Sequence, residues 1–434
     1  MSTATLHHTA TDWGIVAVFA VVYLGMFLGG LPRLKLDRSG VALLGAIAVI
    51  GLSGLPVEDA ARSVDLPTIV LLFAFMVVSA QMRLGGFYGA VTRRVGAMPL
   101  SRNGLLAALI VVSGALSAVF SNDIICLAMT PVVARLCLQR GLNPLPFLIG
   151  LACAANIGSA ATLIGNPQNM LIGSVLQLPF GGYVRQALGP VLIGLGFLWV
   201  WLAFGPGSGS PHPPSTGSGQ AKPLPLAGDG VMREAVDAED PPFDPWQTAK
   251  GLAVAGALLL IFLFTDWPRD VAALVGAGLL LLSRRLHSSR VLGLIDWPLL
   301  LLFMGLFVVN HAFETTGLAA QAVAWLGTQG VHLADPGPLL VASAVLSNLV
   351  SNVPAVMLLL PHLGGSGEQA GVMLALVTTF AGNLLLVGSI ANLIVADLAR
   401  QQGIEIDWKR HAITGIPVTL ATLAVVWGWI RLVA

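Results

Sequence analysis

The sequence predicts an all-α polytopic membrane protein with two inverted-topology repeats, each with about five transmembrane crossings, one a broken helix, plus a re-entrant hairpin. Three observations predict this class: an apolar composition, an internal repeat, and a reversal of loop charge between the halves. Of 434 residues, 56% are hydrophobic and 10% are charged, whereas soluble domains carry about 25% charged residues. A chain this apolar cannot bury its side chains in a water-soluble core, so lipid is its expected solvent.

The apolar residues gather into blocks, most of them close to the roughly 20 residues that span a bilayer core. No Lys or Arg precedes the first block, so we interpret it as a retained helix and not as a cleaved signal. The net charge of +1, without a basic patch, gives no indication of nucleic-acid binding. The blocks are Trp13–Leu31, Gly40–Leu55, Leu66–Met82, Ala187–Phe204, Gly251–Thr265, Val271–Leu282, Pro298–Phe313 and Ile413–Val433.

An internal repeat divides the chain into two halves. Asp65-Leu66-Pro67 opens one apolar block and Asp296-Trp297-Pro298 opens another, an offset of 231 residues (296 minus 65). The intervening Gly205–Gln247 segment is rich in Gly, Pro and Ser, which is typical of a disordered linker. We therefore predict a first transmembrane repeat over 13–204, a linker over 205–247 and a second repeat over 248–434. Further matched positions, with one deletion, are Gly86 with Gly317, Gly96 with Gly327, Ser121-Asn122 with Ser351-Asn352, and Pro131 with Pro361.

Loop charge indicates that the repeats are inverted, because Lys and Arg accumulate in short cytoplasmic loops. The loop after the first block holds Arg33, Lys35 and Arg38, whereas its counterpart in the second half holds only Arg269. The next loop pair and the last one reverse this bias. We therefore predict a multi-pass protein of the inner (cytoplasmic) membrane with both termini outside and a cytoplasmic linker. Inverted repeats of this kind are common in secondary transporters, which bind substrate near the bilayer midplane.

Each half also contains two interrupted apolar segments. Asn103–Ala134 and Pro338–Pro361 are predicted re-entrant hairpins, and Pro146–Leu178 and Gly371–Arg400 are predicted broken helices. Polar backbone at membrane depth is tolerated only where it is buried in protein or lines a cavity. Because half-helix ends offer free N–H and C=O groups to ions, the breaks are the expected binding site.

Asp123 is the candidate proton-coupling residue. A carboxyl group at membrane depth is costly and indicates function by default, and the matching residue in the other half is Val353. The alternatives are a helix cap or a hidden ion pair. The other candidates carry amide or hydroxyl groups suited either to a ligand or to unpaired backbone groups. These substrate- or ion-binding candidates are Ser121, Asn122, Asn156, Thr162, Asn166, Asn169, Ser351, Asn352, Asn383, Ser389 and Asn392.

Several motifs resemble the ion-transporter superfamily, which includes arsenite/antimonite efflux permeases, bacterial sodium/proton antiporters and citrate or divalent-anion symporters. They are Ser121-Asn122-Asp123 with Thr130-Pro131, Gly158–Asn169 (GSAATLIGNPQN), Gly388–Asn392, and Ile404–Trp408. The resemblance implies scaffold and transport domains, an elevator-like movement and a possible homodimer. The dicarboxylate symporters carry Ser-Asn-Thr in both hairpins. Asp123 and Val353 replace those threonines, and the chain is more similar to the arsenite permeases, which have an acid after the first hairpin Asn and a proline-bearing second hairpin (Asn352, Pro354).

These observations predict a proton-coupled secondary transporter that exports a small oxyacid such as arsenite or antimonite across the lipid bilayer. The alternatives are a sodium/proton antiporter, a symporter of a carboxylate or inorganic anion, and a membrane protein without transport activity. No nucleotide, dinucleotide or zinc motif is present, so we expect no cofactor or metal centre. No acid, base and nucleophile converge in the sequence, so we expect no enzyme activity. The coupling ion is then a proton or sodium, unless a soluble ATPase partner drives export. Cys126, Cys137 and Cys153 are interpreted as packing thiols, with metalloid ligation by Cys126 and Cys153 as the alternative.

Overall fold

The computed structural model describes residues 9–31, 35–206, 241–363 and 367–433. Within these ranges the chain forms twenty α-helices and two 3-10 turns, and no β-strand. Seven of the helices are long and apolar enough to cross a membrane. The predicted all-helical, multi-pass membrane fold is therefore confirmed. Residues 207–240, which make up most of the predicted linker, lie outside the described residues, and so does Arg33.

The first half forms ten helices. They are α1 (Ala10–Leu28), α2 (Arg38–Ser53), α3 (Val57–Arg62), α4 (Leu66–Leu84), α5 (Phe87–Gly96), α6 (Arg102–Ser117), α7 (Asn122–Gln139), α8 (Leu145–Ser159), α9 (Pro167–Val175) and α10 (Phe180–Phe204).

The second half forms ten more helices in a corresponding order. They are α11 (Pro245–Phe264), α12 (Arg269–Leu281), α13 (Ser288–Leu292), α14 (Trp297–Thr315), α15 (Leu318–Thr328), α16 (Pro336–Val350), α17 (Asn352–Leu359), α18 (Gly367–Ala381), α19 (Ile390–Gln401) and α20 (Trp408–Val433).

The repeat has the same local chemistry in both halves. The Asp65 carboxylate accepts a hydrogen bond from Thr68 N at 2.8 Å and caps α4. Asp296 caps α14 in the same way, through Leu299 N at 3.0 Å. A side-chain oxygen at the N-cap pairs one of the free N–H groups at a helix start. The matched Asp-x-Pro motifs therefore begin equivalent helices, while the opposite orientation of the halves in the bilayer stays a prediction from loop charge.

The interrupted segments break close to the predicted positions. The first hairpin consists of α6 and α7, and the second of α16 and α17, which meet at Ser351 with a φ of 79°. A positive φ is uncommon for a residue other than glycine, so Ser351 marks an abrupt change of chain direction. The broken helices are α8–α9 and α18–α19, with non-α segments at 160–166 and 382–389. Each segment thus leaves two helix ends inside the protein.

Helices of both halves interleave around these breaks. α7 packs against α19, and α9 packs against α18, so each half contributes to the surroundings of the other half's broken helix. Two further groups of helices pack around this centre: α1, α2 and α14 contact one another, and so do α4, α11 and α12. Among them α1 and α11 expose apolar side chains, because only 28% and 33% of the residues in their most apolar stretches are buried, whereas α4 is 67% buried. Exposed apolar surface of this extent fits helices that face lipid.

Three helices begin earlier than the apolar pattern predicts. α10 begins at Phe180, ahead of the block at Ala187, and α20 begins at Trp408, ahead of the block at Ile413. Their first two turns include charged side chains, Arg185 in α10 and Lys409 in α20, so the apolar pattern places both helix starts too late. α11 begins at Pro245, inside the predicted linker, because the Asp244 carboxylate caps it by accepting from two backbone N–H groups.

Candidate functional site

Asn156 lies at the centre of a buried polar cluster between the two halves. Its Oδ1 accepts hydrogen bonds from Asn122 Nδ2 and from Ser389 Oγ, both at 3.0 Å. Its Nδ2 donates to Asn383 Oδ1 at 2.9 Å and to Asn392 Oδ1 at 3.2 Å. A carboxamide offers two donors and two lone pairs, so this one side chain is fully satisfied. We refer to Asn122, Asn156, Asn383, Ser389 and Asn392 as the amide hub.

The amide hub joins three interruptions of the chain. Asn122 is the first residue of α7, after the tip of the first hairpin, and Asn156 lies in the last turn of α8. The other three members come from the break between α18 and α19 and from the start of α19. Every member was a candidate from the sequence, although Asn156 and Asn383 are 227 residues apart along the chain. The structure therefore gathers five of the predicted residues into one cluster.

Three further candidates hold the first break in shape. Asn166 caps α9, because its Oδ1 accepts from Asn169 N at 2.9 Å. Asn169 Nδ2 donates to Thr162 O at 2.9 Å, and Thr162 Oγ1 donates to Ala118 O at 2.5 Å. These bonds pair side chains with one backbone group of the 160–166 segment, one in the first turn of α9 and one at the end of α6. At these three positions the structure favours the alternative of backbone pairing, although Asn169 Oδ1 is buried without a partner among the described residues.

The second hairpin approaches the break between α18 and α19. Ser347 Oγ donates both to Asn352 Oδ1 and to Thr378 O. Asn348 Nδ2 donates to Ala381 O at 3.0 Å. A Cβ atom at Gly382 would lie 3.1 Å from Asn352 Nδ2, so Asn352 lies directly against the start of this break. The predicted tip residues Ser351 and Asn352 are thus near the hub, without a hydrogen bond to it among the described residues.

Asp123 follows Asn122 in the first turn of α7 and is half-buried. No hydrogen bond or ion pair to Asp123 occurs within the described part of the chain, and Ser121 occupies the N-cap without a side-chain capping bond. Among the described residues, Asp296, another acid, acts electrostatically on Asp123. Neither alternative interpretation, a helix cap or a hidden ion pair, accounts for this carboxyl group. Asp123 therefore stays the candidate for proton coupling.

Several buried polar atoms around the breaks have no hydrogen-bond partner among the described residues. Buried polar groups are nearly always paired, so a cluster of exceptions indicates where a polar ligand can bind. Three of these atoms are amide oxygens that only accept, one is a hydroxyl that can donate or accept, and one is an amide nitrogen that donates. They are Ser117 Oγ, Asn122 Oδ1, Asn169 Oδ1, Asn348 Oδ1 and Asn383 Nδ2.

The surroundings of the hub carry no fixed positive charge. The segments Gly104–Val133 and Phe147–Met170 contain no Lys or Arg. Instead, the N-termini of α7, α9 and α19 begin beside the hub, and helix N-termini carry a partial positive charge.

Cys126, Cys137 and Cys153 are buried as free thiols. The described residues include no group of three or more His, Cys, Asp or Glu side chains that could hold a metal ion.

Sequence reasoning missed residues that link the halves or support the breaks. Thr379 Oγ1 accepts from Gln168 Nε2 at 3.1 Å and connects α18 to α9. Ser159 Oγ, at the end of α8, accepts from Asn166 Nδ2 at 2.9 Å. Tyr183 and His411, near the starts of α10 and α20, contact backbone carbonyls at the two breaks. For Tyr183 and His411 the available signal is a polar residue just before an apolar block, a position that the apolar pattern assigns to a loop.

Comparison with known proteins assigns the chain to transporters. The silicon efflux transporter LSI3 of Oryza sativa is 29% identical, over 94% of this chain and 95% of that protein. The inner membrane protein YbiR of Escherichia coli is 30% identical, over 82% of this chain and 86% of that protein. The transporter arsB of Dictyostelium discoideum is 23% identical, over 91% and 87% of the two chains.

Solved transporter structures share the fold. YdaH of Alcanivorax borkumensis superposes with a TM-score of 0.55 at 14% identity, covering 98% of this chain and 97% of that one. MtrF of Neisseria gonorrhoeae, described among antimetabolite efflux pumps, gives 0.55 at 12% identity, covering 98% and 95%. A family model described as Citrate transporter (CitMHS) matches residues 24–381. The chain therefore belongs to the citrate transporter family of secondary transporters, within the ion-transporter superfamily that its motifs resemble.

Proposed function

We propose that this transporter exports a small, uncharged oxyacid, such as arsenite, antimonite or silicic acid, in exchange for protons. The observation that carries the proposal is the amide hub, which presents amide and hydroxyl groups from both halves without a Lys or Arg. Neutral hydroxides both donate and accept hydrogen bonds, so they match the unpaired Asn122 Oδ1 and Asn383 Nδ2. A fully charged dianion lacks a cationic partner there. The efflux activity in the name of the rice relative supports the same direction of transport.

Protonation of Asp123 is the proposed coupling step. The N-capping acids Asp37 and Asp296 belong to loops whose Lys and Arg content predicts the cytoplasmic side. Burial raises the pKa of Asp296, and the nearby Asp37 carboxylate raises it further. Asp296 in turn interacts electrostatically with Asp123. These loop acids support proton exchange with Asp123 from the cytoplasmic side.

A second candidate function is symport of a carboxylate, favoured by the description of the family as citrate transporters. The helix N-termini beside the hub give this candidate a physical basis, because they attract anions. It requires bound cations to balance a charged carboxylate in a site without Lys or Arg. Sodium dependence therefore separates it from the first proposal.

Ligand-induced stabilisation of the purified protein tests the proposal. A ligand that binds only the folded state raises its unfolding temperature. We expect arsenite and silicic acid to raise this temperature equally with and without sodium, and citrate to leave it unchanged. Asn156→Leu is the matched control, since it removes the centre of the hub. Stabilisation by citrate only with sodium would support the symporter, and stabilisation by sodium alone would support a sodium/proton antiporter.

A further inference from the structure

In each half, the helix that follows the broken helix places one side chain in contact with the break. Tyr183 is the fourth residue of α10, and its hydroxyl donates to Ala160 O at 2.8 Å. His411 is the fourth residue of α20, and its Nε2 lies 2.9 Å from Asn383 O. The offset of 223 residues that relates Asn169 to Asn392 (392 minus 169) also relates Ala160 to Asn383. The two contacts are therefore equivalent in the two halves.

His411 and Gly415, one turn apart on α20, both lie against the backbone carbonyl of Asn383. His411 is only 1% exposed, so its ring is fixed inside the protein. At Gly415, a Cβ atom would lie 2.4 Å from Asn383 O and 2.9 Å from His411 Nε2. No side chain fits in that space. Glycine at this position lets α20 approach closely enough for the imidazole to donate its Nε2–H to the carbonyl.

The carbonyl that His411 contacts belongs to a member of the amide hub. The Asn383 side chain accepts from Asn156 Nδ2 at 2.9 Å, while its own Nδ2 is buried without a partner among the described residues. The direction of that Nδ2 depends on the orientation of the Asn383 backbone. Asn383 N donates to Phe380 O at 3.1 Å, and His411 holds the carbonyl on the other side of the residue. The imidazole of His411 thus fixes the backbone conformation of Asn383, which determines where the unpaired Asn383 Nδ2 points.

We infer that His411 is a positioning residue for substrate, which orients Asn383 through its backbone carbonyl so that Nδ2 is presented to the ligand. The inference rests on the proposed function for its choice of substrate. Tyr183 differs from His411 in a way that supports this assignment. Its hydroxyl also accepts from Asn169 Nδ2 at 3.0 Å, and the residue equivalent to Asn383 in the first break is Ala160, which carries no amide. Asn383 Nδ2 is left for a ligand oxygen.

Two amide substitutions distinguish positioning from simple packing. Gln reaches as far as the Nε2 atom of His and can donate to Asn383 O, whereas Asn reaches only as far as Nδ1. We expect His411→Gln to transport arsenite into everted vesicles with nearly wild-type kinetics. We expect His411→Asn to raise the apparent KM about tenfold, the size of effect of leaving one buried carbonyl unpaired, with a smaller change in maximal rate. His332→Gln, at an exposed histidine, is the control.

Hydrogen–deuterium exchange tests the same inference without any substrate. We expect faster exchange of the 382–389 amides in His411→Asn and in Gly415→Ala, and wild-type exchange in His411→Gln. Equal behaviour of His411→Gln and His411→Asn in both experiments would overturn the positioning role. If wild type fails to move arsenite but the exchange pattern holds, the substrate proposal fails while the role of His411 in orienting Asn383 stands.

Discussion

At the scale of single residues, Asn156 connects the two halves because its carboxamide, at the end of α8, makes one hydrogen bond to the first hairpin and three to the break between α18 and α19 and the start of α19. We expect Asn156→Leu, which keeps the volume but removes these bonds, to abolish transport. It should also lower the free energy of unfolding by about 2–4 kcal/mol, because several buried polar groups lose a partner together. Thermal unfolding and transport assays measure both effects. Asn103→Ala, at the start of α6, is the control, and wild-type transport by Asn156→Leu would contradict the role of the hub.

Asp123 carries the coupling hypothesis at the same scale. Asp123→Asn keeps the shape of the side chain but cannot bind and release a proton. We expect this variant to lose accumulation driven by a proton gradient while it retains downhill arsenite exchange, and Asp123→Glu to keep some coupling. Flux measurements at several external pH values separate the two modes. Unchanged pH dependence in Asp123→Asn would rule out this carboxyl group as the proton carrier.

At the scale of elements, close backbone packing places the first hairpin against the first broken helix. A Cβ atom at Gly158, in α8, would lie 2.2 Å from Gly114 O and 2.4 Å from Gly114 Cα, in α6. We expect Gly158→Ala to force these helices apart and to destabilise the protein by about 1–3 kcal/mol. Gly196→Ala, in α10, is the matched control, since nothing lies within 4 Å of its added Cβ. Thermal unfolding of the two variants makes the comparison, and an equal effect would contradict the packing argument.

The breaks themselves were predictable from sequence, whereas their partners were not. Gly165-Asn166-Pro167 interrupts a helical pattern by local chemistry, and the repeated Ser-Asn marks both hairpin tips. Contacts between the halves decide which asparagines cap a helix and which bond across to the other half. Spacing along the chain does not reveal those contacts. Asn166 caps its own helix, while Asn156 bonds to residues of the other half. His411 was missed because the polar first turn of α20 precedes the apolar block that marks the helix.

At the scale of the whole molecule, loop charge predicts that the repeats are inverted. Glu58 in α3 and Ser289 in α13 are exposed and follow equivalent helices, α2 and α12. Once the native cysteines are replaced, we expect Glu58→Cys to react with a membrane-impermeant maleimide only from outside, and Ser289→Cys only from the cytoplasmic side. Right-side-out and everted vesicles supply the two orientations. Labelling of both positions from one side would contradict the inverted arrangement.

The central claim is that protons drive a neutral oxyacid through a site built from both halves. Its most direct test is accumulation of arsenite and silicic acid in proteoliposomes that hold the purified protein and an imposed proton gradient. We expect gradient-driven accumulation of both solutes, independent of sodium and abolished by dissipating the gradient. Accumulation of citrate with sodium, and no movement of either oxyacid, would contradict it.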